Sequence, residues 1–197
     1  FSVSKKYKFP LVYRPMAHLS ILVLSFSCVL ITDTCQINDI IFNSSFISDV
    51  FSQGGKLIIL LSAIIYIMIV VSYLTFYKIN CLLLILLSIL GQMILCSSFD
   101  FLSLYLSIEL QSLALYTLAA FNRKSAYSTE AALKYFILGA LSSGFLLFGI
   151  SLIYGFSGTT NFEDLRILLS LNLLDCSISK VSIAFISAAF FFKISAA

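Results

Sequence analysis

Long apolar runs broken by short polar segments dominate this chain. Runs of about 20 apolar residues are what a helix needs to cross a ~30 Å hydrocarbon layer. They occur at Ala17–Thr32, Leu57–Tyr77, Ile79–Phe99, Phe101–Phe121 and Ala131–Gly155, and a sixth begins at Val181 and continues to Ala197. The pattern predicts an all-α, polytopic transmembrane helix bundle of about six spans. Residues 1–16 form a positive segment ahead of the first span, and residues 17–197 form the transmembrane domain. Between the spans, Thr160 and Glu163 have capping-box spacing ahead of Leu165 and Leu168, which predicts a short interfacial helix. Residues 37–51 mix Ile40, Ile41, Phe42, Phe46 and Phe51 with polar neighbours and are expected to lie against the membrane or a neighbour.

Loop charges orient the bundle. Lys5, Lys6, Lys8 and Arg14 precede the first span without an acid, whereas the next loop carries Asp33, Asp39 and Asp49 against Lys56. The alternation persists through Lys78, Asp100, Arg123–Lys124 and the acidic loop Glu163–Asp175. By the positive-inside bias, the Phe1 end faces the cytoplasm or a mitochondrial matrix. Pro10 and Pro15 argue against an amphipathic transit helix there. With 60% hydrophobic and 11% charged residues, the chain is far from a soluble composition. A net charge of +3, dispersed along the chain, gives no reason to expect nucleic acid as a partner. Five scattered cysteines without a CxxC pair and the lone His18 read as core and interfacial residues, not as metal ligands.

Three charges sit inside spans. Glu109 lies in the middle of Phe101–Phe121, which holds ten Leu, Ile or Phe residues. An ionisable group at mid-bilayer costs roughly 2.5–3.5 kcal/mol, against about 0.3–0.6 kcal/mol gained per apolar residue. The carboxylate must therefore point into protein. A 100° helical step groups Tyr105, Glu109, Ser112 and Tyr116 on one face, and Ser103, Ser107 and Gln111 on another. Hydroxyl groups around the carboxylate are expected to bond it and relay protons. Lys193 lies about 18 Å deep if its span starts at Val181, and Glu109 about 13 Å deep in its own, so the two can pair. Lys134 follows Ser128, Thr129 and Glu130, a plausible helix start; it either snorkels to the inner interface or belongs to the same chemistry. Gly139, Ser142, Ser143 and Gly149 allow close approach of another helix. A buried Glu–Lys pair that only fixes packing is the structural alternative to a proton site.

The run L-Y-L-S-I-E-L-Q-S at Leu104–Ser112, the stretch Asn122–Phe162 and the closing F-F-K-I-S-A-A at Phe191–Ala197 resemble the chain 2 family of the proton-pumping NADH:ubiquinone oxidoreductase, respiratory complex I, especially its mitochondrial form. The resemblance implies the first inverted-repeat half of an antiporter-like subunit, with a broken helix. It implies proton translocation by Glu109, Lys134 and Lys193, with Lys193 just before the helix break. It places the chain in the mitochondrial inner membrane with its Phe1 end towards the matrix, beside membrane lipid and the other membrane-arm subunits. FMN, iron–sulfur clusters and ubiquinone are implied in partner subunits, and no redox cofactor in this chain. The family's first helix and its second repeat lie outside this sequence. The expectation is therefore a partial sequence, or a split subunit whose second half is a separate chain. Two other readings share these features. One is a subunit of a multisubunit cation/proton antiporter, and the other a non-catalytic membrane scaffold.

Overall fold

The computed structural model describes residues 10–33, 39–73, 79–122, 125–171 and 176–194. Seven helices and one hairpin account for them: α1 (Pro10–Asp33), β1 (Asp39–Ile41), β2 (Phe46–Ser48), α2 (Val50–Tyr73), α3 (Ile79–Ser97), α4 (Phe101–Ala119), α5 (Ala126–Ser157), α6 (Phe162–Ser170) and α7 (Cys176–Lys193). Among the described residues, the five helices α1 to α5 are long and apolar enough to cross a membrane. The sixth long helix, α7, lies along α5. The chain is thus the all-α polytopic bundle that its hydropathy predicts. The end of the second expected span, and residues 1–9 of the positive segment, lie outside the described residues.

Helices pack in chain order, α1 on α2, α2 on α3, α3 on α4 and α4 on α5, with α7 closing on α5. Two apolar cores result. Ala17, Leu60, Ile67, Cys81 and Ile85 bury one between α1, α2 and α3. Ile108, Leu146, Ile150, Ile186 and Ala189 bury the other between α4, α5 and α7.

Local chemistry sets most helix boundaries. At the start of α2, Asp49 and Ser52 cap each other: Ser52 N–H donates to Asp49 Oδ1 (2.7 Å) and Asp49 N–H to Ser52 Oγ (3.1 Å). Asp100 caps α4, accepting from Leu102 N–H at 3.3 Å. Ser125 caps α5, three residues before the start read from Ser128. Gly158, with φ of 73°, ends α5 in the left-handed conformation that glycine takes without strain. α6 is capped by Asn161, not Thr160, because Asn161 Oδ1 accepts from Glu163 N–H at 2.9 Å while the Thr160 carbonyl accepts from Phe101 N–H at 3.1 Å. α1 runs through Pro15. Proline at this sixth position supplies no N–H to the carbonyl four residues back, so one helical hydrogen bond is missing there.

Residues 39–48 form an antiparallel hairpin, with Ile40 opposite Ile47. Its turn passes through three non-glycine residues of positive φ, Phe42, Asn43 and Ser44. The hairpin is fastened to the bundle through its backbone. The Ser45 carbonyl accepts from Phe99 N–H (2.9 Å) and Ser103 Oγ (3.1 Å), and the Ser44 carbonyl from Asn161 Nδ2 (2.9 Å). Phe162 N–H donates to the Phe99 carbonyl, and the Phe162 ring meets those of Phe99 and Phe101 edge-on. Three connections that are remote in sequence are thereby joined at the end where α4 begins.

Candidate functional site

α4 carries its two polar stripes to different neighbours. Gly91 of α3 lies directly against the α4 backbone: a Cβ there would stand 2.9 Å from Gln111 N and 3.1 Å from the Ser107 carbonyl oxygen. Ser103 and Ser107 are buried on this side. The stripe Ser103–Ser107–Gln111 therefore runs along the seam with α3, where small residues bring two backbones together. The other stripe, with Glu109, Ser112 and Tyr116, turns towards α5 and α7.

The α4 hydroxyls are occupied by their own helix. Ser107 Oγ donates to the Leu104 carbonyl (2.8 Å) and Ser112 Oγ to the Glu109 carbonyl (3.0 Å). A hydroxyl buried among apolar groups gains most by bonding the nearest free carbonyl lone pair, one turn back. The expected bonds from these hydroxyls to the carboxylate are not formed. Glu109 Oε2 is buried and has no hydrogen-bond partner among the described residues, and Lys193 Nζ is buried in the same condition.

These two orphaned groups belong to one region. Glu109 is close enough to act electrostatically on Lys193, and also on Tyr105 and Tyr116. No contact within 4 Å joins the carboxylate to the ammonium; among the described residues the one such ion pair is Lys134–Glu130. α7 starts at Cys176, earlier than Val181, and ends at Lys193, so the lysine occupies the last helical position, about 25 Å along the axis. Ile186 and Ala189 hold α7 in the core that contains Ile108, the residue before Glu109. Gly149 allows this approach: a Cβ there would stand 2.7 Å from Ile186 Cγ1 and 3.0 Å from the Ser182 carbonyl oxygen.

Lys134 is placed apart. Its ammonium bonds Glu130 Oε1 at 2.6 Å, one turn back on α5, and the two side chains are 71% and 62% exposed in the chain taken by itself. Tyr116 stands between the two charge sites. Its ring is 4.7 Å, centroid to centroid, from that of Tyr135, the residue after Lys134. Its hydroxyl end rests on Gly139, where a Cβ would collide with it. The sequence places Tyr116 on the Glu109 face, but its role as the neighbour of α5 follows only from the glycine opposite.

The arrangement thus defines a class: a membrane-embedded helix bundle with opposite ionisable groups buried and unpartnered between packed spans. The family described as NADH:quinone oxidoreductase/Mrp antiporter, TM, matches residues 98–197, and the chain belongs to that family. The NADH-ubiquinone oxidoreductase chain 2 of Marchantia polymorpha is 39% identical over the whole of this chain and 42% of its own length. The NADH-quinone oxidoreductase subunit N of Paramagnetospirillum magneticum is 45% identical over 77% of this chain and 32% of its own. Among solved structures, the respiratory complex I of Thermus thermophilus superposes with a TM-score of 0.72 at 25% identity, over 88% of this chain and 37% of the matched chain. The membrane-bound sulfane sulfur reductase, an archaeal respiratory membrane complex, superposes with a TM-score of 0.74 at 26% identity, over 89% of this chain and 37% of the matched one. The chain spans about two fifths of the length of the Marchantia relative.

Proposed function

We propose that this chain is the first half of a proton-translocating membrane-arm subunit of NADH:ubiquinone oxidoreductase. The observation that carries this reading is the pair Glu109 and Lys193, each with a buried, unpartnered charged atom, within electrostatic reach across α4 and α7. Removing a charge from water costs several kcal/mol unless a partner compensates it. Two opposite charges set near each other but not locked together respond to small movements. When they approach, each charge compensates the other; when they separate, each is left uncompensated in a dry layer, the condition under which a proton leaves one site for another. Water entering between them would complete the transfer. The driving force comes from quinone reduction in other subunits, which hold the FMN, iron–sulfur clusters and ubiquinone.

Lys134 acts in this reading as the next proton site, reached past Tyr116 and Tyr135, with Glu130 as its counter-ion. A lysine–glutamate pair on a helix face is stable in lipid only if protein covers it. The partners are other membrane-arm subunits, and a separate chain or continuation that supplies the second repeat. The place is the mitochondrial inner membrane, with the Phe1 end in the matrix.

The test uses the assembled complex in proteoliposomes. Glu109→Gln and Lys193→Met should each lower rotenone-sensitive proton uptake per NADH oxidised at least about tenfold, an effect of ~1.4 kcal/mol or more on the coupled step. Unchanged pumping in both variants would reduce the buried charges to packing elements, as a scaffold requires. Cation exchange that persists without NADH would assign the chain to the antiporter branch of the family instead.

A further inference from the structure

A cavity lies apart from Glu109, at the end of the bundle where the hairpin is fastened. It has a volume of about 490 Å³, and its lining includes Ile31 of α1, Phe42 and Ser48 of the hairpin, Lys56 of α2, and Met93 and Ile94 of α3. That size is within the ~300–1,000 Å³ of ordinary ligand clefts. Its composition is asymmetric. Ile31, Met93 and Ile94 belong to the ends of the apolar helices α1 and α3, and Ile31 and Met93 pack against the first core. The Ser48 hydroxyl and the Lys56 ammonium come from the loop side.

Lys56 is the cation of this cavity. It is half-buried at the seventh position of α2 and forms no ion pair within 4 Å among the described residues. Its place in the lining puts it on the cavity side of α2. The chain brings it there by close packing: Gly55, one residue earlier, lies against Cys96, whose Sγ would be 3.2 Å from a Cβ on that glycine. Ser48 Oγ accepts from Gln53 Nε2 at 3.2 Å, and as a hydroxyl it also carries a proton to donate. The exposed Phe42, at the hairpin tip, walls the open side.

We propose that this cavity is a binding site for an anionic phospholipid, with the phosphate on Lys56 and Ser48 and the upper acyl chain along Ile31, Met93 and Ile94. A cation with hydroxyl donors at one end of an apolar groove, at the depth where a helix end meets the lipid headgroups, is complementary to one phosphate above one hydrocarbon chain. Neither a soluble anion nor a neutral hydrocarbon uses both ends. The bound lipid would brace the hairpin against α1 and α3. The assignment is independent of the proton chemistry, since Lys56 and Glu109 share no contact.

The experiment incorporates the assembled complex into phosphatidylcholine nanodiscs doped with phosphatidylglycerol that carries a photoreactive diazirine on its acyl chain. Irradiation should label peptides containing Met93–Ile94 and Ile31. Lys56→Gln should lower that labelling about five-fold, the equivalent of the ~1 kcal/mol that one basic residue contributes at a lipid surface, while Lys56→Arg retains it. Met93→Trp, which fills the groove and keeps the charge, should abolish it, so the test survives if Lys56→Gln impairs assembly. Equal labelling by a diazirine phosphatidylcholine, insensitive to Lys56, would overturn the proposal by reducing the groove to bulk lipid contact. Competition by excess inorganic phosphate would overturn it by assigning Lys56 to a soluble anion.

Discussion

Replacement of Gly149 by alanine tests whether the contact between α5 and α7 positions the buried charges. The added Cβ would meet Ile186 Cγ1 at 2.7 Å, the Ser182 carbonyl oxygen at 3.0 Å and Ile186 N at 3.2 Å. The isoleucine methylene can rotate away, but the oxygen and nitrogen are main chain. Ordinary contact begins near 3.4 Å, so α7 must withdraw by a few tenths of an ångström. Overpacking of this kind costs ~1–3 kcal/mol, against up to ~1 kcal/mol returned by alanine's better helix propensity. Gly144 and Gly155 on the same helix have nothing within 4 Å of a built Cβ, so they are internal controls. Thermal denaturation of the assembled complex should place Gly149→Ala ~1–3 kcal/mol below Gly144→Ala. Proton uptake per NADH should fall further than stability does, because Lys193 lies two turns beyond Ile186 on the displaced helix. Equal stability and equal pumping in the two variants would refute the reasoning that close packing at this glycine sets the Glu109–Lys193 separation.

Gly91→Ala should destabilise by a similar ~1–3 kcal/mol, since two of its three nearest contacts are α4 backbone atoms; the same denaturation assay reads it. Gly139→Ala should displace the Tyr116 hydroxyl, and Tyr116→Phe should slow pumping without lowering the melting temperature if that hydroxyl carries protons between Glu109 and Lys134. Asn161→Ala removes both the α6 cap and the bond to the Ser44 carbonyl, a loss of ~1–3 kcal/mol visible as faster amide exchange in residues 39–48. Lys134→Gln should reduce pumping far more than Glu130→Gln; an exposed i,i+4 pair is worth only about 0.3–0.5 kcal/mol, so matching losses would mean that the pair, and not the lysine, is what matters.

Hydropathy made the spans legible because lipid tolerates so few backbone solutions that an apolar run of sufficient length has to be a helix. The interior charges were legible for the same reason. What each polar residue faces was not. Ser107 and Ser112 fall on separate stripes in sequence, yet only Gly91 opposite shows that the Ser107 stripe is the one packed against α3. The expectation that these hydroxyls bond the carboxylate failed because a carbonyl one turn back on the same helix is always nearer. The hairpin at residues 39–48 escaped detection because its turn uses Phe42, Asn43 and Ser44 at positive φ, where glycine is the usual sign. The cap of α6 shifted to Asn161 because its backbone bridges to Asp100 while its side chain serves two loops at once. The Lys56 cavity combines four elements that no local pattern brings together.

The fastening of the hairpin has a mechanical consequence for α4. Ser45, Asn161 and Thr160 tie the first turn of that helix to two distant loops, and its last turn is held by Ser128 Oγ, which donates to the Ala119 carbonyl at 2.7 Å. α4 is therefore anchored at both ends, and Glu109 lies between the two anchors. A helix held in this way bows in its middle more easily than it slides, so any displacement of the carboxylate would run sideways within the dry layer and not along the membrane normal.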